Sequence, residues 1–244
     1  PFECSYVETE LPDIRVINLS GPASGFRRQV LEKGRFHTAV LTQEDAGRAQ
    51  GYQEEQKRKS AEDVAGDTDS FLASLALSLE YGEPTQSELD RVVQLFGKTN
   101  QFNLTTKRHT RVDIQRYLTD PLASVRVAKL EDRFGHYGLI GVVVTLDDGR
   151  KNRRIDSFRL SCRALGRSVE NAVLAAVDLE SRGDGVSSLT GIYTATKKNA
   201  QVAEFYTRNG FAATKSPEIF VRNLQNQEAL PMPKHIEFIS RSSL

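Results

Sequence analysis

Cys162 is the side chain best suited to covalent chemistry in this sequence. It closes a predicted strand just before Arg163, and a helix begins a few residues later. Cations and helix N-termini favour the thiolate, the form of cysteine that attacks a carbonyl carbon. The parity that puts Phe158 and Leu160 on one strand face also covers Cys162, so a buried small hydrophobe is the competing reading. Arg163 and Arg167 flank Gly166 and carry planar forks suited to anions. His136 could move a proton near neutral pH, or be a surface histidine beside a glycine turn. Tyr206 either gives a proton or belongs to the apolar helix face of Val202 and Phe205. Asn100, Gln101, Asn103 and Thr105, anchored by Phe102 and Leu104, read as a polar rim for a small hydroxylated group or as a plain surface turn. His37, His109 and His235 have no second ligand at metal spacing, so no metal is expected.

These residues need elements to hold them. From about Asp69 a short helix (Phe71, Leu72, Leu75) leads to a first strand over 76–81. Thr85-Gln-Ser-Glu88 forms a capping box, followed by the helical stripe Leu89, Val92, Val93, Phe96. The polar stretch Lys98 to His109 reads as a loop, and a second helix covers 112–118. Three strands follow, Val125–Leu130, Gly138–Leu146 and Arg154–Cys162, the last two joined by the turn Asp147-Asp148-Gly149-Arg150. A helix carrying Val169, Ala172, Val173, Ala176 and Val177, a strand over 188–193, a helix over 199–208 and an antiparallel pair from Gly210 complete this part. Residues 1–40 read as helix, strand (Ile14 to Leu19), helix (Phe26, Val30, Leu31) and strand (Phe36 to Leu41). Two parallel strands cannot cover themselves, so 1–41 is expected to be the C-terminal remnant of a larger α/β domain. Thr42 to Asp45 opens a very polar helix, and 42–68 is expected to be a solvent-exposed linker helix before the main domain, 69–244.

Composition narrows the function classes. The chain has 244 residues, 39% of them hydrophobic, which is enough for a packed core. No apolar run nears the roughly 20 residues of a membrane helix, and no signal peptide is visible. Two cysteines exclude a disulfide framework and a cysteine-based zinc site, as in a cytoplasmic protein. Residues 1–80 carry nine Lys+Arg against 14 Asp+Glu, and the rest 24 against 18. The basic residues are scattered, without the interleaved aromatics of a nucleic-acid platform. They suit an acidic partner or a phosphorylated small molecule. The only Met is Met232 and the first residue is Pro1, so a processed product or a piece of a longer chain is expected.

The element order from residue 69 is similar to that of the GCN5-related N-acetyltransferases (GNAT), a mixed α/β sheet flanked by helices. Arg163-Ala-Leu-Gly166-Arg167-Ser168 resembles that fold's R/Q-x-x-G-x-G/A loop, whose backbone N–H groups hold the pyrophosphate of coenzyme A at a helix N-terminus. Asn199 with Phe205-Tyr206 and Gly210-Phe211 resembles its second signature. The resemblance implies that Asn199 contacts the pantetheine arm and Tyr206 protonates the leaving thiolate. Longer strings resemble the FkbH-like family: Lys98 to Thr106, Arg133-Phe-Gly135, Gly138 to Gly141, Leu160 to Arg163, and Tyr193, Thr196, Lys198, Asn199. There a haloacid dehalogenase (HAD)-type phosphatase precedes a GNAT-like half. Together they move a glyceryl-type three-carbon unit from a phosphorylated glycolytic donor to the phosphopantetheine thiol of an acyl carrier protein, for polyketide assembly. The resemblance implies an enzyme thioester on Cys162, an acyl site at Asn100, Gln101, Asn103, Thr105 and Arg133, and the carrier protein and the phosphatase portion as partners.

Departures qualify this. The phosphatase string D-x-D-x-T has only Asp67-Thr-Asp69-Ser-Phe71 as a counterpart, with no buried strand before it, so phosphatase activity is not expected. His136-Tyr137 stand where the family usually has Asp-Asn, Ser168 where it has Gly, and Ala195 where it has Pro. Two other functions stay open: a coenzyme A-dependent N-acyltransferase using Asp156 or Glu131 as base, and a non-catalytic module that docks the carrier protein.

Overall fold

The computed structural model describes Cys4, Val7 and residues 16–32, 48–98 and 101–241. The chain divides into two compact units, Pro1–Leu41 and Thr42–Leu244. In the first, a 3₁₀ turn Ala23–Gly25 leads into α1 (Phe26–Glu32). The Gln29 side chain accepts from the Ser20 N–H at 3.0 Å and donates to its carbonyl. Residues 16–20 are not assigned to a strand, where one was expected over Ile14 to Leu19; Ile14 and Arg15 lie outside the described residues. Most of the first helix, the strand expected over 36–41 and the start at Thr42 to Asp45 lie outside the described residues.

Among the described residues, the second unit is a nine-stranded mixed sheet with helices on both faces. Its elements are α2 (Arg48–Ala65), α3 (Thr68–Ser74), β1 (Leu77–Gly82), α4 (Leu89–Lys98), β2 (Phe102–Asn103), α5 (Arg111–Thr119), β3 (Ala123–Asp132), β4 (Gly135–Asp147), β5 (Asn152–Leu160), α6 (Val169–Gly183), β6 (Ser188–Ile192), α7 (Phe205–Arg208), β7 (Ala212–Ala213), β8 (Ile219–Asn223) and β9 (Ile236–Ser240). The strands run in the order β7-β8-β6-β5-β4-β3-β1-β9, with β2 also paired to β5. Strands β3, β4 and β5 are antiparallel neighbours, whereas β5–β6 and β1–β9 are parallel.

Two cores lie on opposite faces. Leu89, Val92, Leu95 and Phe96 of α4 and Ile114 of α5 pack on Val125, Val127, Leu139, Val142 and Val144. The other face buries α6 (Val169, Ala172, Val173, Ala176, Val177) against Leu79, Val143, Ile155, Phe158 and Leu160. Strand alternation explains the division, since Val142 and Val143 point to opposite sides. At α4, Glu88 accepts from the Thr85 N–H at 2.8 Å, as the capping box predicts.

In the second unit three expectations need correction and one strand was missed. The stretch Lys98 to His109 contains a strand, β2. β9 was not foreseen, because its apolar residues (Ile236, Phe238, Ile239) are too few for a clear pattern. The helix expected over 199–208 is two pieces, a 3₁₀ turn Ala200–Val202 and α7, since the Asn199 side chain binds neighbouring loops and does not cap a helix. Finally, α2 is docked along one side. Glu54 and Arg58 are buried, and the Arg58 guanidinium clamps Asp132 at 2.7 and 3.0 Å. The Glu54 carboxylate fills the space a Cβ on Gly135 would take. Charged residues at i and i+4 look like a solvent face in sequence, and only the partner strand shows otherwise.

Candidate functional site

The site lies at the carboxyl ends of the parallel strands β5 and β6, where crevices form in such sheets. The two strands pair only from Asn152–Ser188 to Ile155–Gly191 and then diverge. At the split β5 carries a bulge: Ile155 pairs with Thr145 and Ser157 with Val144, leaving Asp156 as the extra residue. A bulge adds a residue on one side, so Asp156, Ser157 and Arg159 all meet groups on the α4–α5 side, while Ile155, Phe158 and Leu160 join the α6 core. Asp156 is buried and accepts from Lys107 Nζ at 2.5 Å, while its Oδ2 has no hydrogen bond. His109 Nε2 lies 3.7 Å from that oxygen and 2.9 Å from Ser157 Oγ. Burial lowers the His109 pKa, against the pull of Asp156. Arg159 donates to the carbonyls of Phe96 and Lys107, and burial lowers its pKa to about 10. Of this layer sequence reasoning named only Asp156, as a candidate base, because no spacing signal links residues 107–109 to 156–159.

The wedge between the diverging strands is filled by the chain itself. Phe102 pairs with Leu160 and Asn103 with Arg159, and the Leu104 N–H donates to Phe158 O at 3.3 Å. On the other side the Thr194 N–H donates to Leu104 O at 2.7 Å, and Asn199 Nδ2 to Asn103 O at 2.7 Å. Phe102 stacks edge-on against Phe158 and Phe205. Asn103 Oδ1 accepts from the Thr106 N–H, which steadies Thr106 at a left-handed φ of 57°. Thr105 is buried with an unpartnered hydroxyl. Gln101 is exposed, and Asn100 lies outside the described residues.

Asn199 is fully buried: Nδ2 also donates to Thr194 O, and Oδ1 accepts from the N–H and hydroxyl of Thr196. Tyr206 is buried behind β6, its ring in the space that a Cβ on Gly191 would need and packed with Phe205, Phe211 and Phe220. Burial pushes its phenol well above the usual tyrosine range. That setting is the core alternative named for it.

Cys162 is exposed. The strand ends at Leu160, earlier than expected, and Ser161 turns the chain into a 3₁₀ turn Cys162–Ala164. Strand parity therefore does not reach Cys162. Arg163 and Gly166 are exposed too, and Gly166 sits at φ 78°. Ser168 starts α6 at φ 58° with no side-chain cap, and the first turn of the helix precedes the Ala172 N–H to Ser168 O bond. Glu170 lies in that turn, and burial raises its pKa. Arg167 donates to the carbonyls of Arg163 and Leu165 at 3.0 and 3.2 Å and lies over the Tyr137 ring at 5.2 Å. The Tyr137 hydroxyl donates to Asp132 at 2.8 Å, and Arg58 covers its ring at 4.1 Å. Arg58, Asp132 and Tyr137 thus position the loop, a role unreadable in sequence. His136, next to Tyr137 and on the opposite strand face, is exposed and 3.1 Å from Glu131. Arg133 is exposed, over the Phe134 ring.

The structure thus gathers Cys162, Arg163, Gly166, Arg167 and Ser168 on one loop, with Asn103, Thr105 and Asn199 inside the wedge and Tyr206 behind it. The loop, two left-handed residues before an uncapped helix start with Arg163 beside it, has the donors for a phosphate group. Along the end of β5 the wedge is occupied by residues 102–104. No group of three metal-binding side chains and no helix long and apolar enough to cross a membrane occurs among the described residues.

No protein-family model and no curated protein matches the chain. Among solved structures it is similar to a GNAT-family acetyltransferase of Staphylococcus aureus (11% identity, 60% of this chain and 99% of that one, TM-score 0.48). It is also similar to the PaiA N-acetyltransferase of Thermoplasma acidophilum in complex with coenzyme A (12%, 59% and 98%, TM-score 0.45). A third is the N-acetylglutamate synthase of Neisseria gonorrhoeae with coenzyme A and N-acetyl-glutamate (16%, 60% and 35%, TM-score 0.45). These likenesses concern the course of the chain and leave its chemistry to the residues of the site.

Proposed function

We propose that this chain transfers a short acyl group between Cys162 and the phosphopantetheine thiol of an acyl carrier protein. The observation that carries the proposal is Cys162 itself, exposed at the end of β5 on the loop that leads into the uncapped start of α6. The Cys162 Sγ attacks the carrier's thioester carbonyl. The new C–S bond forms, the old one breaks with its electron pair going to the carrier sulfur, and that sulfur takes up the proton Cys162 gave to solvent. Arg163 and the first-turn N–H groups of α6 would hold the phosphate of the arm. The strings shared with the FkbH-like family point to a glyceryl-type three-carbon group and a polyketide precursor. The basic excess after residue 80 suits an acidic carrier.

Intact-protein mass spectrometry after incubation with glyceryl-loaded carrier protein tests this. A glyceryl mass increase that is absent in Cys162→Ser is the expected result. An intact carrier thioester with no increase would reject it.

A further inference from the structure

Two parallel strands that diverge leave backbone N–H and C=O groups facing the gap, and buried groups of this kind must find partners. In this chain residues 102–104 supply them on both sides at once. β5 gives its Phe158 carbonyl to the Leu104 N–H, Thr194 donates to Leu104 O, and Asn199 donates to Asn103 O. Phe102 is 1% and Leu104 0% exposed, both in the α6 core. The segment is a middle strand of the sheet, bonded on one edge to β5 and on the other to the loop after β6.

We infer that residues 102–104 are a permanent wall, excluding an extended amide-bearing thioester arm from the wedge. The inference rests on the acyl-transfer reading for its consequence: the carrier protein and coenzyme A bear the same arm, so a thioester on either is met only at the mouth. Phe102 pairs with Leu160 in antiparallel register, so Gln101 and Cys162 emerge at the same end of the wedge. Arg163, Lys197 and Lys198 are exposed at the carboxyl ends of the two strands, and residues 161–169 and 194–203 contain no Asp or Glu. A thioester carried on an acidic protein would be drawn to that rim by charge, without needing the interior.

Amide hydrogen exchange by NMR on the full chain, alone and with millimolar coenzyme A as the probe, tests the wall directly. The Leu104 and Thr194 amides should exchange within about tenfold of those joining β4 to β5, and coenzyme A should leave them unchanged. Exchange roughly a hundredfold or more faster than β4–β5, or a loss of protection on adding coenzyme A, would overturn the inference and make the segment a displaceable plug. The readout does not depend on Cys162. A failed acyl-enzyme experiment with a protected segment would therefore sink the proposed function and leave the wall standing.

Discussion

Three helices around one sheet begin in two different ways. The Thr110 hydroxyl accepts from the Asp113 N–H at the start of α5, and Asp113 accepts from the Thr110 N–H at 2.9 Å. Before α4, Glu88 turns back to the Thr85 N–H. At α6, Ser168 takes a left-handed conformation and caps nothing. The first two starts are closed by their own sequence. The third is held from outside: Arg167 ties together two loop carbonyls, and Tyr137, Arg58 and Asp132 brace Arg167. Local closure comes from a cap in the sequence itself, whereas the α6 start has no Ser168 cap and is braced by distant residues, with the Glu170 N–H meeting its own carboxylate.

The largest effect should come at the open end. Cys162→Ser should abolish acyl-enzyme formation while leaving the melting temperature unchanged, because the thiol is exposed; a marked fall in melting temperature would make Cys162 structural. Next comes the brace. Arg58→Ala strands the buried Asp132 carboxylate and should cost about 3–5 kcal/mol in chemical denaturation. A loss below about 1 kcal/mol would show that α2 is not a structural part of the site.

Acid should act on the closed end. Burial works against the Glu88 carboxylate, but Arg241, Lys129 and the Thr85 N–H hold it down, from 4.5 to about 2. Its folded pKa is depressed, so its contribution is complete above about pH 4.5 and is lost as pH falls toward 2. Glu88→Gln should remove that part of the acid-unfolding slope, on the order of 2–3 kcal/mol. An unchanged slope would place the acid sensitivity elsewhere. Thr110→Ala should cost roughly 1 kcal/mol, the usual loss of a cap. Ser168→Gly should be neutral or stabilise by up to about 1 kcal/mol, since glycine accepts the left-handed backbone freely. Equal losses for these last two in urea titrations would erase the distinction between closed and open starts.

Much of the frame was legible beforehand. The stripe Leu89, Val92, Phe96 and the box Thr85 to Glu88 sit where expected, and so do β3 to β6 within a few residues. The loop Arg163 to Ser168 falls between strand and helix as its Gly and Arg pattern suggests. These signals are local: periodicity, caps and turn residues act over a few positions. The polar stretch Lys98 to His109 could not be read as a strand, because its partners are 55 and more residues away in sequence. Separations of 74 and 48 residues hid Arg58 from Asp132 and His109 from Ser157.

The sequence by itself determined the mixed sheet, its flanking helices and the position of Cys162 just before an arginine-bearing loop, because hydrophobic period and capping are written in neighbouring residues. Only the tertiary structure decided that Cys162 faces solvent, that Asn199 and Tyr206 are buried, and that residues 102–104 close the wedge. Those outcomes depend on which distant backbone edge needs partners and which face is already covered, and no short stretch of sequence carries that information.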